Sequence, residues 1–479
     1  MSLKGRITED WLAVFTGLFI FVLSLAVFLG ADLLGWAVTT RVWTNISTAL
    51  APASSAYAAL NPFVSLVATW LFLLLVLAPG ARALRADMPR FVTGFTAVFF
   101  LSYACWVAGS WANIAATPDK MAQYGVRWSL NLTAEAGFII ALLAGLVIGN
   151  FLPGVAAFMK EAIRPELYIK TAIVILGGFL GVTAAEQLGL ATSVMFRGLC
   201  AIVEAYLIYW ALVYYIARRY FKFSREWAVP LASGISICGV SAAIATGSAI
   251  RARPVVPVMV SSLVVIFAVV ELLLLPFLAQ HFLASEPMVA GAWMGLAVKT
   301  DGAAVASGAI TDALIRAKAA GSGVYYQPGW IMAATTTVKV FIDVFIAVWA
   351  FILAWIWSAK IDRREGEKVR AIQIWERLPK FILGYLVTFA AILTLGVLYP
   401  SLVGRAKAAM AQANNFRSIF FVMTFFTIGV VSNFRKLWEE GIGRLALVYV
   451  LCLFGFIIWI GLAISWLFFH GVKPPLVAG

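Results

Sequence analysis

The chain has 479 residues, 63% of them hydrophobic and only 12% charged, with a mean hydropathy of +0.95. Soluble domains run near 45–50% apolar and about 25% charged, so a soluble enzyme is excluded. The formal charge of +14 reads as basic cytoplasmic loops rather than as a nucleic-acid surface. With 2 His and 4 Cys, and no CxxC among Cys105, Cys200, Cys238 and Cys452, the pattern offers no zinc, haem or disulfide framework and no cofactor is expected.

Apolar runs of about 20 residues span a bilayer, and they recur along the whole chain. Three come first, at 11–29, 62–79 and 91–112, with a more polar stretch at 31–60 that carries Trp36 and Trp43 and suits the membrane interface. Ten more follow at 132–152, 169–188, 191–217, 226–250, 255–278, 287–312, 330–358, 378–399, 417–436 and 445–469. The fold class is therefore all-α, a polytopic membrane protein of about thirteen helices. Lys and Arg are richer in the loops that share a side with the N-terminus, among them Lys4, Arg82, Lys160, Arg218 and the basic loop 359–380. This bias predicts a cytoplasmic N-terminus, with lipid headgroups as neighbours of the basic loop.

The last ten segments divide into five plus five. The fourth of each set is irregular: Ser233-Gly-Ile-Ser-Ile-Cys-Gly-Val-Ser241 and Thr424-Phe-Phe-Thr-Ile-Gly-Val-Val-Ser432 both put Gly and hydroxyl residues at mid-span. Five spans per repeat is an odd number, so the copies insert with opposite topology, the plan of transporters whose sites form at broken helices near the midplane. The alternative is that small residues only allow close helix packing. The expected organisation is an accessory region at 1–130, a first repeat at 131–280 and a second at 281–479 that includes the basic loop.

Ionisable residues inside spans each cost roughly 2.5–3.5 kcal/mol on insertion scales, so they mark the candidate site. Val298-Lys299-Thr300-Asp301-Gly302 puts opposite charges two residues apart, off a common helical face, and this suggests unwound backbone lining a cavity. Lys339 and Asp343 are four apart, hence on one face and able to pair. A structural ion pair is the plain alternative. In the functional alternative Lys299 and Lys339 attract an anion, Asp301 and Asp343 bind a coupling sodium ion or proton, and the hydroxyls of Ser236, Ser241, Thr300 and Thr336 orient the substrate. Glu135, Glu204 and Glu271 also fall in or near spans and read first as helix-to-helix hydrogen-bonding groups, second as a proton relay. Neither a phosphate-binding Gly-x-x-x-x-Gly-Lys-Ser/Thr nor a Gly-x-Ser-x-Gly elbow occurs, so ATP-driven transport and hydrolase chemistry are not expected.

Gly145-Leu-Val-Ile-Gly-Asn150, Ile235-Ser-Ile-Cys-Gly-Val-Ser-Ala-Ala243, the stretch from Gly295 to Gly308, Thr337-Val-Lys339 and Phe426-Thr-Ile-Gly-Val-Val-Ser-Asn-Phe-Arg435 occur in that order. Together they resemble the YeiH-like sulfate-exporter family of bacterial inner-membrane proteins over about 130–470. The resemblance implies a fold similar to sodium/bile-acid symporters and sodium/proton antiporters, with two crossed broken helices. Where that family shows Val-His-Asp, this chain has Val298-Lys299-Thr300 and its carboxylate one place later at Asp301; the Arg that often follows the membrane lysine is replaced by Ile342 and Asp343. The expected function is secondary active transport of a small anion, of the sulfate, sulfite or organosulfonate class, coupled to sodium or protons and not enzymatic. The alternatives are a cation/proton antiporter using Asp301 and Asp343, or a non-transporting membrane partner; a homo-oligomer fits any of these.

Overall fold

The computed structural model describes residues 8–116, 120–130, 132, 136–186, 188–253, 255–357, 361, 379–432 and 443–477. Among them, ten helices are long and apolar enough to cross a membrane, or eleven if one bent pair counts as a span. In chain order the helices are α1 (Glu9–Leu29), α2 (Pro62–Ala83), α3 (Met88–Gly109), α4 (Ala136–Phe151) and α5 (Pro153–Ala162), the last two forming the pair bent by 112°. Then come α6 (Pro165–Glu186), α7 (Leu188–Arg219), α8 (Arg225–Ser236), α9 (Val240–Ala249), α10 (Val255–Phe282) and α11 (Pro287–Ala297). The series ends with α12 (Asp301–Ala320), α13 (Trp330–Ile356), α14 (Lys380–Leu398), α15 (Pro400–Val431) and α16 (Gly443–Phe469).

The thirteen apolar segments of the sequence each contain helix, but two of them are not continuous spans. Segment 226–250 is α8 and α9 with a break at Ile237–Gly239, and segment 287–312 is α11 and α12 with a break at Val298–Thr300. The second irregular segment expected from the sequence, 417–436, is instead uninterrupted helix as far as Val431. Gly429 serves close packing there: a Cβ on it would lie 2.7 Å from the Leu146 nitrogen on α4.

The chain divides into two compact units. The first comprises Met1–Leu190, Arg316–Tyr326 and Lys380–Val431. At its centre α6 is buried along almost its whole length, with α14 and α15 packed along it. A helix that is apolar all round belongs in such an interior. Thr388 ties α14 to α6 by donating to the Val174 carbonyl at 2.7 Å. α1 is fastened to the start of α6 by two ion pairs, Arg164 to Glu9 at 2.5 Å and Lys170 to Asp10 at 2.8 Å. Residues 31–61 hold a two-stranded antiparallel sheet, β1 (Val38–Thr40) and β2 (Leu50–Pro52), in the register Val38↔Pro52. It is pinned to the helices by Thr69, which accepts from the Val38 nitrogen, and by Asn415, which donates to the Val38 carbonyl, both at 2.9 Å.

The second unit comprises Ala191–Ile315, Gln327–Pro379 and Ser432–Gly479. It contains both helix breaks. α8 packs on α7 and α10, while α11 packs on α16 and α13. α7 and α16 each carry a π-helical turn, at Glu204–Tyr209 and Leu453–Ile457. These long-range contacts suggest an internal repeat.

The close approach of α4 to α15 gives a direct test. A Cβ on Gly145 would overlap the Phe426 carbonyl oxygen, whereas one on Gly154 meets nothing within 4 Å. Gly145→Ala is expected to lower stability by about 1–3 kcal/mol through overpacking. Gly154→Ala should leave it unchanged or slightly raised; thermal melts of the purified variants compare the two.

Candidate functional site

Both breaks are written into local chemistry. α8 stops at Ile237, whose φ of −106° and ψ of −99° leave the helix, and Gly239 follows with φ +68° and ψ −110°. That conformation suits a residue with no Cβ. It also lets the two breaks touch, because a Cβ on Gly239 would lie 3.2 Å from Thr300 Cγ2 and 3.4 Å from the Lys299 carbonyl oxygen. α11 ends when Val298 turns extended, and α12 restarts with Thr300 as its cap, the hydroxyl accepting from the Ala303 nitrogen at 3.2 Å. Asp301 opens α12, where the positive end of the helix favours an acid.

Lys339, on α13, reaches both breaks at once. Its ammonium donates to the carbonyls of Ile237 at 2.9 Å and Lys299 at 3.1 Å, and stands 3.7 Å from Asp301 Oδ1. Those carbonyls belong to the ends of α8 and α11, where helix dipoles and orphan acceptors favour a cation. Asp343 Oδ, Asp301 Oδ and Cys238 Sγ lie within 4.8 Å of one another, all buried. Lys339 is 1% exposed, so it needs all of these partners: removing one side of a buried pair costs roughly 3–5 kcal/mol.

Lys299 faces another way. Its ammonium donates to the Leu296 carbonyl and sits 4.4 Å from the centre of the Tyr209 ring. Its backbone N–H, freed by the break, donates to Glu271 on α10 at 3.1 Å. Tyr209 closes the π-turn of α7 and donates to the Ile457 carbonyl at 2.8 Å, at the end of the π-turn of α16. Glu204, which opens the same turn of α7, is wholly buried, and neither of its carboxylate oxygens has a hydrogen-bond partner among the described residues.

Lys299, Thr300, Asp301, Lys339 and Asp343 thus gather about the two breaks. Lys299 and Asp301 point to different partners, as their spacing implied. Lys339, placed four residues from Asp343, also reaches Asp301 across the fold. Ser236 is buried at the end of α8 and its hydroxyl has no hydrogen-bond partner among the described residues. Thr336 donates back to the Met332 carbonyl at 2.8 Å, so its hydroxyl hydrogen is committed to its own helix. Ser241 lies in α9, but its side chain is outside the described residues, as are Glu135 and residues 362–378 of the basic loop.

Two residues escaped sequence reasoning. Tyr209 is one aromatic among many in an apolar run, and nothing in its spacing marks it. Asp312 on α12 accepts from the nitrogens of Gly329 and Ile331, both at 3.1 Å, and so caps the start of α13. Its signal was available: an acid in a small-residue helix, followed downstream by Gly329 just before an apolar run.

Architecture and site define a multi-pass all-α membrane protein with two broken helices meeting at a buried cluster of opposite charges. The chain belongs to the UPF0324 membrane-protein family. The family described as Conserved hypothetical protein 698 matches residues 120–448. A UPF0324 membrane protein of Nitrosomonas europaea is 42% identical over 475 residues, 98% of this chain and 97% of that one. An uncharacterized protein of Archaeoglobus fulgidus is 51% identical over 169 residues, 31% of this chain and 90% of its own. A UPF0324 membrane protein of Nitratidesulfovibrio vulgaris is 28% identical over 424 residues, 84% of this chain and 64% of its own. No solved structure matches.

The Glu271 contact supplies a prediction. Glu271→Leu leaves the Lys299 N–H buried without an acceptor and should cost about 1–3 kcal/mol, while Glu271→Gln keeps an acceptor oxygen and should cost less. Equal losses in the two melts would show that the hydrogen bond is not what Glu271 contributes.

Proposed function

We propose that the protein is a secondary active transporter that moves a small anion across the bacterial inner membrane by alternating access. The observation that carries the reading is the abutment of two broken helices around buried charges of both signs. Irregular backbone inside a membrane is tolerated where it is buried in protein or lines a cavity, and transporter sites form at such breaks. The cap residue of α9 is Gly239, which has no side chain of its own to cap the helix, and a helix N-terminus favours an anion. The Ser236 hydroxyl, three residues earlier, has no hydrogen-bond partner among the described residues.

In this reading Lys299, Lys339, Thr300, Ser236, Ser241 and Thr336 surround the substrate, and Asp301 and Asp343 carry the coupling proton or sodium ion. In an inverted five-plus-five repeat the breaks fall in segments 226–250 and 287–312, the fourth of one set and the first of the next. The copies then correspond with their order permuted, α8 to α11 and, by their π-turns, α7 to α16. The sulfate, sulfite or organosulfonate class follows from the resemblance to the YeiH-like sulfate exporters. The N-terminus is cytoplasmic by loop charge.

One observation favours a second reading, cation/proton antiport at Asp301 and Asp343. Among the described residues of this core, buried Glu204, Glu271, Asp301 and Asp343 outnumber Lys299 and Lys339.

Proteoliposomes loaded with labelled sulfate, sulfite or an organosulfonate test both. Under an imposed proton or sodium gradient at least one anion should move, and Lys339→Ala and Asp301→Asn should each reduce the flux at least tenfold, about 1.4 kcal/mol or more at the site. Lys407→Ala, which removes an exposed pair with Glu186, should leave flux within about twofold, as expected for a surface salt bridge. If no anion moves while the protein dissipates a proton gradient on addition of a cation, the antiporter reading replaces the first.

A further inference from the structure

We propose that the junction of the two breaks is a monovalent-cation site whose resident cation is the ammonium of Lys339, so that the wild-type protein binds no sodium there. The ligands are what a hard cation takes: the carbonyl oxygens of Ile237 and Lys299, at 2.9 and 3.1 Å from Nζ, and Asp301 Oδ1 at 3.7 Å. The Asp343 carboxylate stands in the same group with Asp301 and the Cys238 thiol, within 4.8 Å. In broken-helix transporters, unwound carbonyls and half-helix C-termini of this kind coordinate the coupling cation. Here both carbonyls lie at the ends of α8 and α11, one residue beyond the former and two beyond the latter.

Charge makes the exchange specific. The ammonium supplies one positive charge to a pocket of carboxylates and carbonyls. A neutral residue at 339 removes that charge and leaves a hole lined by oxygen, and one monovalent ion restores the original balance. A divalent ion would overcompensate it by one charge. Three oxygens already grouped about a single nitrogen are placed to close on a free ion as they do on the tethered one. For the transporter proposed above, the consequence is that sodium is not the coupling ion and the proton is. The cation site itself rests only on the broken-helix junction, and its test involves no substrate.

The test is the thermal stability of purified protein in choline chloride, with sodium, lithium or potassium chloride substituted at constant ionic strength. Wild type should melt at one temperature in all four salts. Lys339→Met should melt lower in choline and regain a few degrees as sodium rises, by mass action on the folded state. Lys339→Arg, which keeps a tethered cation, should show no sodium response.

A sodium-dependent rise in wild type overturns the proposal, because the site would then take the ion with the amine in place. So does a folded Lys339→Met that responds to no monovalent cation. Should Lys339→Met not be recovered folded from choline, it is prepared in sodium chloride throughout: recovery of folded protein in sodium but not in choline supports the proposal, and failure in both salts counts against it. Absence of anion flux in proteoliposomes, by contrast, would remove the transport reading and leave these melts as they stand.

Discussion

A helix interrupted inside a membrane leaves carbonyls and N–H groups that water does not reach, and each must find a partner within the protein or the interruption does not survive. Here the debt of two interruptions falls on a few side chains. Lys339 takes one carbonyl from each break, Glu271 takes the Lys299 N–H, and the Thr300 hydroxyl takes the Ala303 N–H in the first turn of α12. Gly239 supplies a backbone angle that lets the breaks lie against each other. Take away the Lys339 ammonium and the two carbonyls face each other and Asp301 with nothing positive between them.

The remainder of that unit follows from holding these groups in position. α13 must present Lys339 and Asp343 at a fixed height, and Asp312 sets that height by capping the helix at Gly329 and Ile331. α7 must bring Tyr209 over Lys299, and the π-turn that contains Tyr209 shifts it out of ordinary helical register. The Ile457 carbonyl that receives the Tyr209 hydroxyl ends the other π-turn, so two helical irregularities are hydrogen-bonded to one another. Two lysines of the same charge thereby keep separate partners in one core.

Much of this was legible in the sequence, and the reason is chemical contrast. Apolar runs stand out against loops, so every predicted segment contains helix, and a Lys or Asp in such a run stands out again. The two-residue spacing of Lys299 and Asp301 correctly argued against their pairing. What local spacing could not reveal is contact at a distance: Lys339 meets carbonyls 102 and 40 residues away. The interruption at Val298–Thr300 lies where the charges two residues apart suggested unwound backbone, whereas the one expected at 417–436 was misplaced for a related reason. Glycine at mid-span marks either a break or a tight helix contact, and the residue decides nothing alone. Gly239 is the former, with a left-handed φ; Gly429 is the latter, lying against α4 within a continuous helix. At 298–300 no glycine is needed, because an extended Val and a capping Thr make the turn.

The fastening of α1 to α6 bears on how such chains can be rearranged in evolution. α6 is buried along almost its whole length, and α1 contributes part of that cover, with Gly17 placed directly against Val174. Glu9 and Asp10 meanwhile answer Arg164 and Lys170. The family match begins at residue 120, yet the polypeptide cannot be severed there without baring an apolar helix, taking Glu9 from Arg164 and leaving Lys170 with Glu166 alone of its two carboxylates. A lineage that gained or lost the leading helices would have to change the face of α6 in the same step, so length and the identity of residues 164, 170 and 174 are expected to have moved together.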